Sequence, residues 1–519
     1  VPTSRLARRP VPWLAAASLV AAVAVMVASP AATAAVPTRG AATAPRRPVT
    51  CNDGSTSTSK DPNQYTGDLA SLNQHPVPAW WTNAKFGIFI HWGPYSVPAY
   101  APPGQPFIGY AEWYWFYQQI PGTATYQHHL ATYGPNFVYD DFIPQFKAQR
   151  FDPKAWISLI KQSGAKYFVL TAKHHDGFAL WPTKTSNRNS VQMGPHRDLV
   201  GALLAAACGS GIKSGLYYSI PEFFNPAPQP KYPPVNVGDI PFTLTQPAHN
   251  AYTGAPTPYT GYKPIPDYAT GQVVPQIEEL IHQYHPSIIW CDIGGDGQYF
   301  QSNQWIADYY NDTKRTDPSG VVVDDRCGDQ TTHSDYNTIE YGQGTPLPGK
   351  PNEVIRGLGF SFGYNAQEKD SDYLSVGGVV QLLADTVARN GNLLLDIGPK
   401  ADGTIPTVMV DRLQGVGAWL KINGAAIYNT HPFTQPADGN VRFTVGANGA
   451  LYAIALAWPG PELRINAPIP IAGKKVVLLG SNGKPLPVRQ DGSAIVITTG
   501  ASHASQVTTS KDAFVFRIS

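Results

Sequence analysis

Between residues 80 and 430, short apolar runs alternate with longer stretches in which apolar positions recur every three or four residues. The short runs lie at 86–90, 166–170, 214–218, 287–290, 321–323 and 392–396, and each is nearly all apolar. A strand buried on both faces has this pattern, whereas a strand with one wet face alternates. The longer stretches predict helices at 152–164, 199–208, 277–284, 379–389 and 408–422. The first is the best punctuated, with Asp152 as N-cap, Pro153 at the first helical position and Gly164 as the stop. Strands separated by helices mean a parallel sheet. Six of them spread over so long a segment fit an eight-unit (β/α) barrel with irregular members better than an open sheet. No Gly-rich phosphate loop follows the first run, which counts against a nucleotide-binding open sheet.

After residue 431 the period changes to two. Short alternating runs at 441–445, 451–456, 476–479, 494–498 and 513–518 are separated by Asn448-Gly449, Asn482-Gly483 and Asp491-Gly492. These turn pairs predict an antiparallel β-sandwich. The expected organisation is therefore an α/β barrel domain over 66–430 followed by a sandwich domain over 431–519. Within the barrel, 225–271 is rich in Pro, Tyr and Gly and too long for an ordinary connection, so it is expected to pack as an excursion over one face. Residues 36–65 read as a leader without a core. Residues 1–35 carry Arg5, Arg8 and Arg9, an apolar stretch over 13–28, then Ala32-Thr33-Ala34. That stretch is shorter than the roughly 20 residues a spanning helix needs, so a cleaved export signal and a secreted protein are expected, without a stable membrane anchor.

Charged residues make up 14% of the chain, against roughly 25% in an average soluble protein. With 38 basic and 36 acidic residues the formal charge is +2, which offers no field for nucleic acid or anionic lipid. A neutral partner fits better. Aromatics reach 11%, as a large core or a sugar-stacking surface would require. Four cysteines allow at most two bridges; Cys208 falls in a helical pattern and Cys291 ends a strand pattern, so both read as buried thiols.

Polar residues gather where the barrel strands end: His91, then His174-His175-Asp176, Glu222, Asp292 and Arg326. In a parallel barrel these ends share one face, so positions over 200 residues apart meet in one pocket. Paired carboxylates there can work on a glycosidic bond, one as nucleophile or base and one as acid. Trp92, Trp113, Trp115, Trp181 and Trp290 offer stacking faces for a pyranose. A metal at His174, His175 and Asp176 is disfavoured, because adjacent residues at a strand end point in different directions. No cofactor and no metal is expected.

The block Lys85-Phe86-Gly87-Ile88-Phe89-Ile90-His91-Trp92-Gly93-Pro94-Tyr95-Ser96 resembles the opening of the α-L-fucosidases of glycoside hydrolase family 29. Glu112-Trp113-Tyr114, Lys173-His174-His175-Asp176-Gly177-Phe178, Gly215-Leu216-Tyr217-Tyr218-Ser219 and Gly359-Phe360-Ser361-Phe362-Gly363-Tyr364 resemble further family blocks in the same order. The resemblance implies a retaining, exo-acting glycosidase on a (β/α) barrel, with fucosylated oligosaccharides or glycoconjugates as partners. It implies Asp292, in Ile289-Trp290-Cys291-Asp292, as nucleophile, with Asp296 as a less favoured neighbour. For the acid/base it leaves Glu340, in Thr338-Ile339-Glu340-Tyr341, preferred over Glu353 and Asp335. His91, Glu112, Trp113, His174, His175, Tyr217, Trp290, Arg326 and Phe362 match positions that line the family's sugar pocket. Departures are Cys327 beside Arg326 and Pro351-Asn352 before Glu353, each where the family has a Trp, and Asp396 for an Asn. A Cys291–Cys327 bridge between neighbouring strand ends would be compatible with these positions. A secreted sugar-binding protein that keeps the pocket without catalysis is the alternative of a different class.

Overall fold

The computed structural model describes residues 61–104, 109–230, 247–342, 349–500 and 512–519, with short pieces of 235–245. The expected export signal and nearly all of the leader lie outside the described residues.

Eight parallel strands form one curled sheet: β1 Phe86–Ile90, β2 Tyr167–Lys173, β3 Lys213–Ser219, β4 Ile288–Asp292, β5 Val322–Val323, β6 Asn337–Glu340, β7 Asn352–Gly357 and β8 Gly391–Ile397. Their order, β5-β4-β3-β2-β1-β8-β7-β6, runs in sequence around the sheet, as in a (β/α)-barrel. Six of the eight are the apolar runs of the sequence. β6 and β7 are the two it does not announce.

No ladder joins β5 to β6. Carboxylates bridge the seam instead: Asp335 N–H donates to Val323 O at 3.0 Å, and Val323 N–H donates to Asp335 Oδ2 at 2.8 Å. Asp325 Oδ1 likewise accepts from Thr338 N–H and Oγ1 across the same gap. The carboxylates supply the acceptors that a paired strand would otherwise offer.

The predicted helices appear as Pro153–Gln162, Leu199–Ala207, Val274–Tyr284, Val376–Ala388 and Thr407–Asn423, joined by Ser302–Thr316 between β4 and β5. Asp152, Asp198 and Ser375 cap three of them with side-chain acceptors. Among the described residues, the β5–β6 and β6–β7 connections contain no helix. Alternation along the strands sorts two apolar layers. Ile88, Leu170, Leu216 and Leu395 pack outward against the helices. Phe89, Val169, Tyr217, Trp290, Ile355 and Leu394 fill the barrel interior, and their upper members become the floor of the pocket.

The C-terminal strands β9 Thr430–Asp438, β10 Val441–Gly446, β11 Leu451–Ala455, β12 Glu462–Ile465, β13 Val476–Leu478, β14 Val488–Asp491, β15 Ala494–Thr498 and β16 Phe514–Ile518 are antiparallel. They form a five-stranded sheet, β9-β10-β11-β16-β13, and a three-stranded sheet, β12-β15-β14. Phe443, Ala453, Phe516, Ile465, Ile495 and Ile497 join one apolar cluster between the two. Trp419 Nε1 on the last barrel helix donates to Ala513 O at 3.0 Å, and Arg442 on β10 pairs with Asp385. Among the described residues no helix is long and apolar enough to cross a membrane.

The buried-thiol reading of the cysteines is overturned. Cys291 is bonded to Cys327 with Cα atoms 4.9 Å apart, and Cys208 is also disulfide-bonded. Neighbouring strands β4 and β5 bring the first two together, which is the bridge between strand ends that the sequence allowed.

Candidate active site

The C-terminal strand ends open onto a cavity of about 210 Å³. This is smaller than the roughly 300–1,000 Å³ of drug-sized pockets and matches a single sugar ring better than an oligosaccharide. Asp292 closes β4 and faces into it. Tyr217 OH donates to Asp292 Oδ2 at 2.8 Å, while Arg326 Nη1 and Ile293 N–H donate to Oδ1 at 3.1 and 3.0 Å. His175 Nε2 stands 3.4 Å from Oδ2. Burial pushes this carboxyl up, but hydrogen bonding from His175, the Arg326 charge and the Tyr217 hydroxyl outweigh it and hold Asp292 well below the usual carboxylate range. It is therefore ionised.

Glu340 closes β6 across the cavity. It accepts from Arg326 Nη2 at 3.0 Å and from Tyr110 OH at 2.9 Å. Arg326 is itself fixed, with Nε donating to Thr338 Oγ1 at 2.8 Å and its guanidinium 5.1 Å from the centre of the Trp290 ring. Both carboxylates are followed by a non-glycine residue in the left-handed region, Ile293 at φ 49° and Tyr341 at φ 47°. Such conformations cost about 1–3 kcal/mol each and persist only where the surroundings impose them. Here they turn the chain away as soon as each carboxylate has been delivered. Gly294 allows the loop after Asp292 to lie against the Arg326 loop, since a Cβ there would come within 2.6 Å of Arg326 O.

Facing these groups are His91, Glu112 and His174. Burial lowers His91 to about 3, so its imidazole is neutral, and its Nδ1 lies 2.6 Å from Asp396 Oδ1. Burial likewise lowers His174 far below its ordinary value. Glu112 is pushed up to about 8 by burial, against hydrogen bonds to its carboxyl from Gly363 N–H at 2.7 Å and Ser361 Oγ at 3.2 Å. Phe89, Phe362, Trp113, Trp290, Ile293 and Ile355 supply the apolar wall. The site thus holds one ionised carboxylate, a second carboxylate on the same guanidinium, neutral hydrogen-bonding groups and an aromatic face.

The family model described as alpha-L-fucosidase matches residues 54–425. The tissue alpha-L-fucosidase of Homo sapiens is 36% identical over 435 residues, covering 81% of this chain and 85% of the human protein. The alpha-L-fucosidase of Dictyostelium discoideum is 35% identical, covering 81% and 87%. The chain belongs to the alpha-L-fucosidase family. Among solved structures, Thermotoga maritima alpha-fucosidase in complex with fucose superimposes with a TM-score of 0.72 at 35% identity, covering 88% of this chain and all of that one. The same bacterium's enzyme with a mechanism-based inhibitor gives 0.72 at 36% identity, covering 88% and 99%.

Of the residues that match the α-L-fucosidase motifs, His91, Glu112, Trp113, His174, Tyr217, Trp290, Asp292, Arg326, Glu340 and Phe362 line the cavity. His175 stands behind it, between Asp292 and Ser219. The three successive polar residues after β2 do diverge: His174 faces the cavity, His175 turns to Asp292, and Asp176 accepts from Tyr139 OH and Phe178 N–H. Asp296 is exposed and caps its own loop through Gln298 N–H and Tyr299 N–H.

Other residues named from the sequence lie elsewhere. Glu353 lies within the barrel, wholly buried, accepting from Tyr167 OH at 2.6 Å and Trp290 Nε1 at 2.9 Å, and is not a lining residue. Asp335 is absorbed in the seam. Glu222 forms a buried ion pair with Lys173 at 2.7 Å. Trp92, Trp115 and Trp181 point away from the cavity, toward Phe146 and Trp156, Tyr139, and Glu279 respectively. Within the described part of 225–271 no residue lines the cavity. Phe89, Tyr110, Ile293 and Ile355 line it without having been singled out. Period-two alternation through β1 and β7 would have found Phe89 and Ile355; Tyr110 sits on a loop that no strand end announces.

Proposed function

We propose that this chain removes terminal α-L-fucose from oligosaccharides or glycoconjugates with retention of configuration. In the first step Asp292 Oδ attacks the anomeric carbon while Glu340 gives its proton to the departing glycosidic oxygen, so the C–O bond breaks as the ester bond to Asp292 forms. In the second step Glu340 takes a proton from water, the water oxygen attacks the same carbon, and Asp292 leaves as carboxylate.

The observation that carries this reading is the bridge made by Arg326, which holds an ionised Asp292 and Glu340 on one planar group. A shared guanidinium is compatible with the about 5–5.5 Å between carboxyls of retaining glycosidases. A cavity sized for one sugar supports exo action. The solved Thermotoga maritima relative carries fucose, which supports that sugar as the ligand here. Neutral His91 and His174 and the raised Glu112 suit ring hydroxyls, and Phe362 suits the methyl of a 6-deoxy sugar. One methyl in an apolar pocket is worth about 1–3 kcal/mol, so discrimination against galactosides should be real and limited. The disulfides accord with export to an oxidising compartment, as the N-terminal pattern suggests.

Activated aryl α-L-fucoside with added azide tests the assignment. Asp292→Gly should yield β-fucosyl azide and Glu340→Ala the α-anomer. Fucose binding by the unaltered protein without release of the aryl group would instead mean a sugar-binding protein.

A further inference from the structure

The seam between β5 and β6 carries a second cluster that shares no residue with the sugar pocket. His75, in the segment before β1, meets His333 and Asp335 from the β5–β6 connection, and their donor atoms lie within 4.8 Å of one another. His75 Nδ1 is 2.9 Å from Asp335 Oδ1, and His333 Nε2 is 3.5 Å from the same oxygen. Ligands around a tetrahedral ion at about 2.0–2.1 Å stand roughly 3.3 Å apart. The two spacings to Asp335 Oδ1 are close to the edges of such a polyhedron.

The hydrogen bonding around the cluster points the same way. His333 is 5% exposed and its Nε2 has no hydrogen-bond partner. Its Nδ1 lies 2.9 Å from Asn73 Oδ1, an atom that only accepts, so the ring proton sits on Nδ1. Nε2 then faces the Asp335 carboxylate at 3.5 Å, outside good hydrogen-bond geometry, an arrangement that a bound cation would satisfy. Asp335 Oδ2 is already occupied by Tyr310 OH and Val323 N–H, which leaves Oδ1 for the cluster. The His75 ring is fixed by stacking on Tyr310 at 3.6 Å between centroids. Outer partners that fix the tautomer and orientation of the donors are what metal-binding histidines and carboxylates require. A groove of about 390 Å³ reaches these residues, open enough to admit an ion and a water as fourth ligand. The neighbouring Lys350 is turned onto Ser334, bonding its O and Oγ at 2.7 and 2.8 Å.

We propose that His75, His333 and Asp335 bind one divalent ion of the zinc class. Two nitrogens and one carboxylate oxygen suit that ion better than calcium or magnesium, which favour all-oxygen sites. The ion ties the segment before β1 to the connection that closes the seam, so its role is structural.

The test uses the full chain, stripped with a chelator and titrated with Zn²⁺ or Co²⁺. One equivalent of Zn²⁺ should bind saturably and raise the Tm by a few degrees, and Co²⁺ should give the visible absorption of a tetrahedral site. His75→Gln and His333→Gln should each abolish the Zn²⁺-dependent rise in Tm. Asn73→Ala, at an exposed position, should weaken binding about tenfold or more without disturbing the fold. Turnover of an aryl α-L-fucoside should be the same with and without the ion. Absence of saturable Zn²⁺ binding by the unaltered protein, or equal binding by His75→Gln and Asn73→Ala, would overturn the proposal even if His333→Gln failed to fold.

Discussion

Arg326 donates to both pocket carboxylates, through Nη1 to Asp292 Oδ1 at 3.1 Å and through Nη2 to Glu340 Oε2 at 3.0 Å. The two groups come from β4 and β6, strands separated by the seam where no ladder holds the sheet. Their relative position therefore depends on side chains more than on backbone pairing. Lysine keeps the charge of Arg326 but not the planar fork, so Arg326→Lys cannot hold both partners in one plane. We expect kcat to fall on the order of 10²-fold or more, the scale seen when a positioned donor is removed from a catalytic centre. Steady-state kinetics on an aryl fucoside would check this.

The Cys291–Cys327 bridge joins the residue before Asp292 to the residue after Arg326. It thus ties the carboxylate-bearing strand end to the loop that carries its guanidinium. Closing a loop of this length contributes roughly 3–4 kcal/mol in the chain-entropy picture. The double variant Cys291→Ser, Cys327→Ser should melt at lower temperature and lose kcat more than it raises KM, with its far-ultraviolet circular dichroism unchanged. Unaltered kcat after demonstrated loss of the bridge would mean that packing alone, including the close approach at Gly294, holds the two loops together.

Sequence pattern exposed those parts of the fold in which burial is uniform. β1, β2 and β8 are covered on both faces and therefore appear as apolar runs. β6 and β7 escaped because they carry Asn337, Asn352 and Glu353 at buried positions, where the polar seam and interior need them. In the sandwich, β9 contains Pro432 and Pro436 and β14 is largely exposed, as strands at a sheet edge often are, so alternation was weak. At the site, strand ends pointed to Asp292 and Arg326, and both line the cavity. Adjacency in sequence misled for the tryptophans, since Trp92 follows an inward His91 and turns outward to Phe146 and Trp156. A seam-closing carboxylate, bonded to Val323 12 residues away, and a loop residue such as Tyr110, bonded to Glu340 230 residues away, depend on contacts that no local period encodes.

Tyr110 orients Glu340 from the side opposite Arg326, with its hydroxyl donating at 2.9 Å. Tyr110→Phe keeps the ring contact with Phe362 and removes one hydrogen bond. Leaving a part-buried acceptor without its donor costs about 1–3 kcal/mol, so kcat should fall by roughly tenfold. Because Glu340 must give up its proton in the first step and recover one in the second, a slow aryl leaving group should reveal a larger loss than a fast one. A uniform loss across leaving groups would place the effect of Tyr110 in sugar binding instead.

Glu353 separates a stability role from a chemical one. Burial pushes its carboxyl up to about 7 from an ordinary 4.5, despite hydrogen bonds from Tyr167 and Trp290. The folded protein then keeps a proton that the unfolded chain releases between those two values. Stability contributed by this group is thus full below about pH 4.5, declines as pH rises to about 7 and stays at its lower level above that. At 1.36 kcal/mol per pH unit the decline amounts to roughly 3 kcal/mol. Glu353→Gln cannot ionise. Its carbonyl can accept from Trp290 Nε1, and its amide can donate to the Tyr167 hydroxyl. Denaturant melts at pH 5 and pH 8 should therefore show the variant losing less stability than the unaltered protein over that interval. Its kcat should stay within a few-fold. Loss of turnover in Glu353→Ala, restored by azide as an α-fucosyl product, would move the acid/base role from Glu340 to this interior carboxyl.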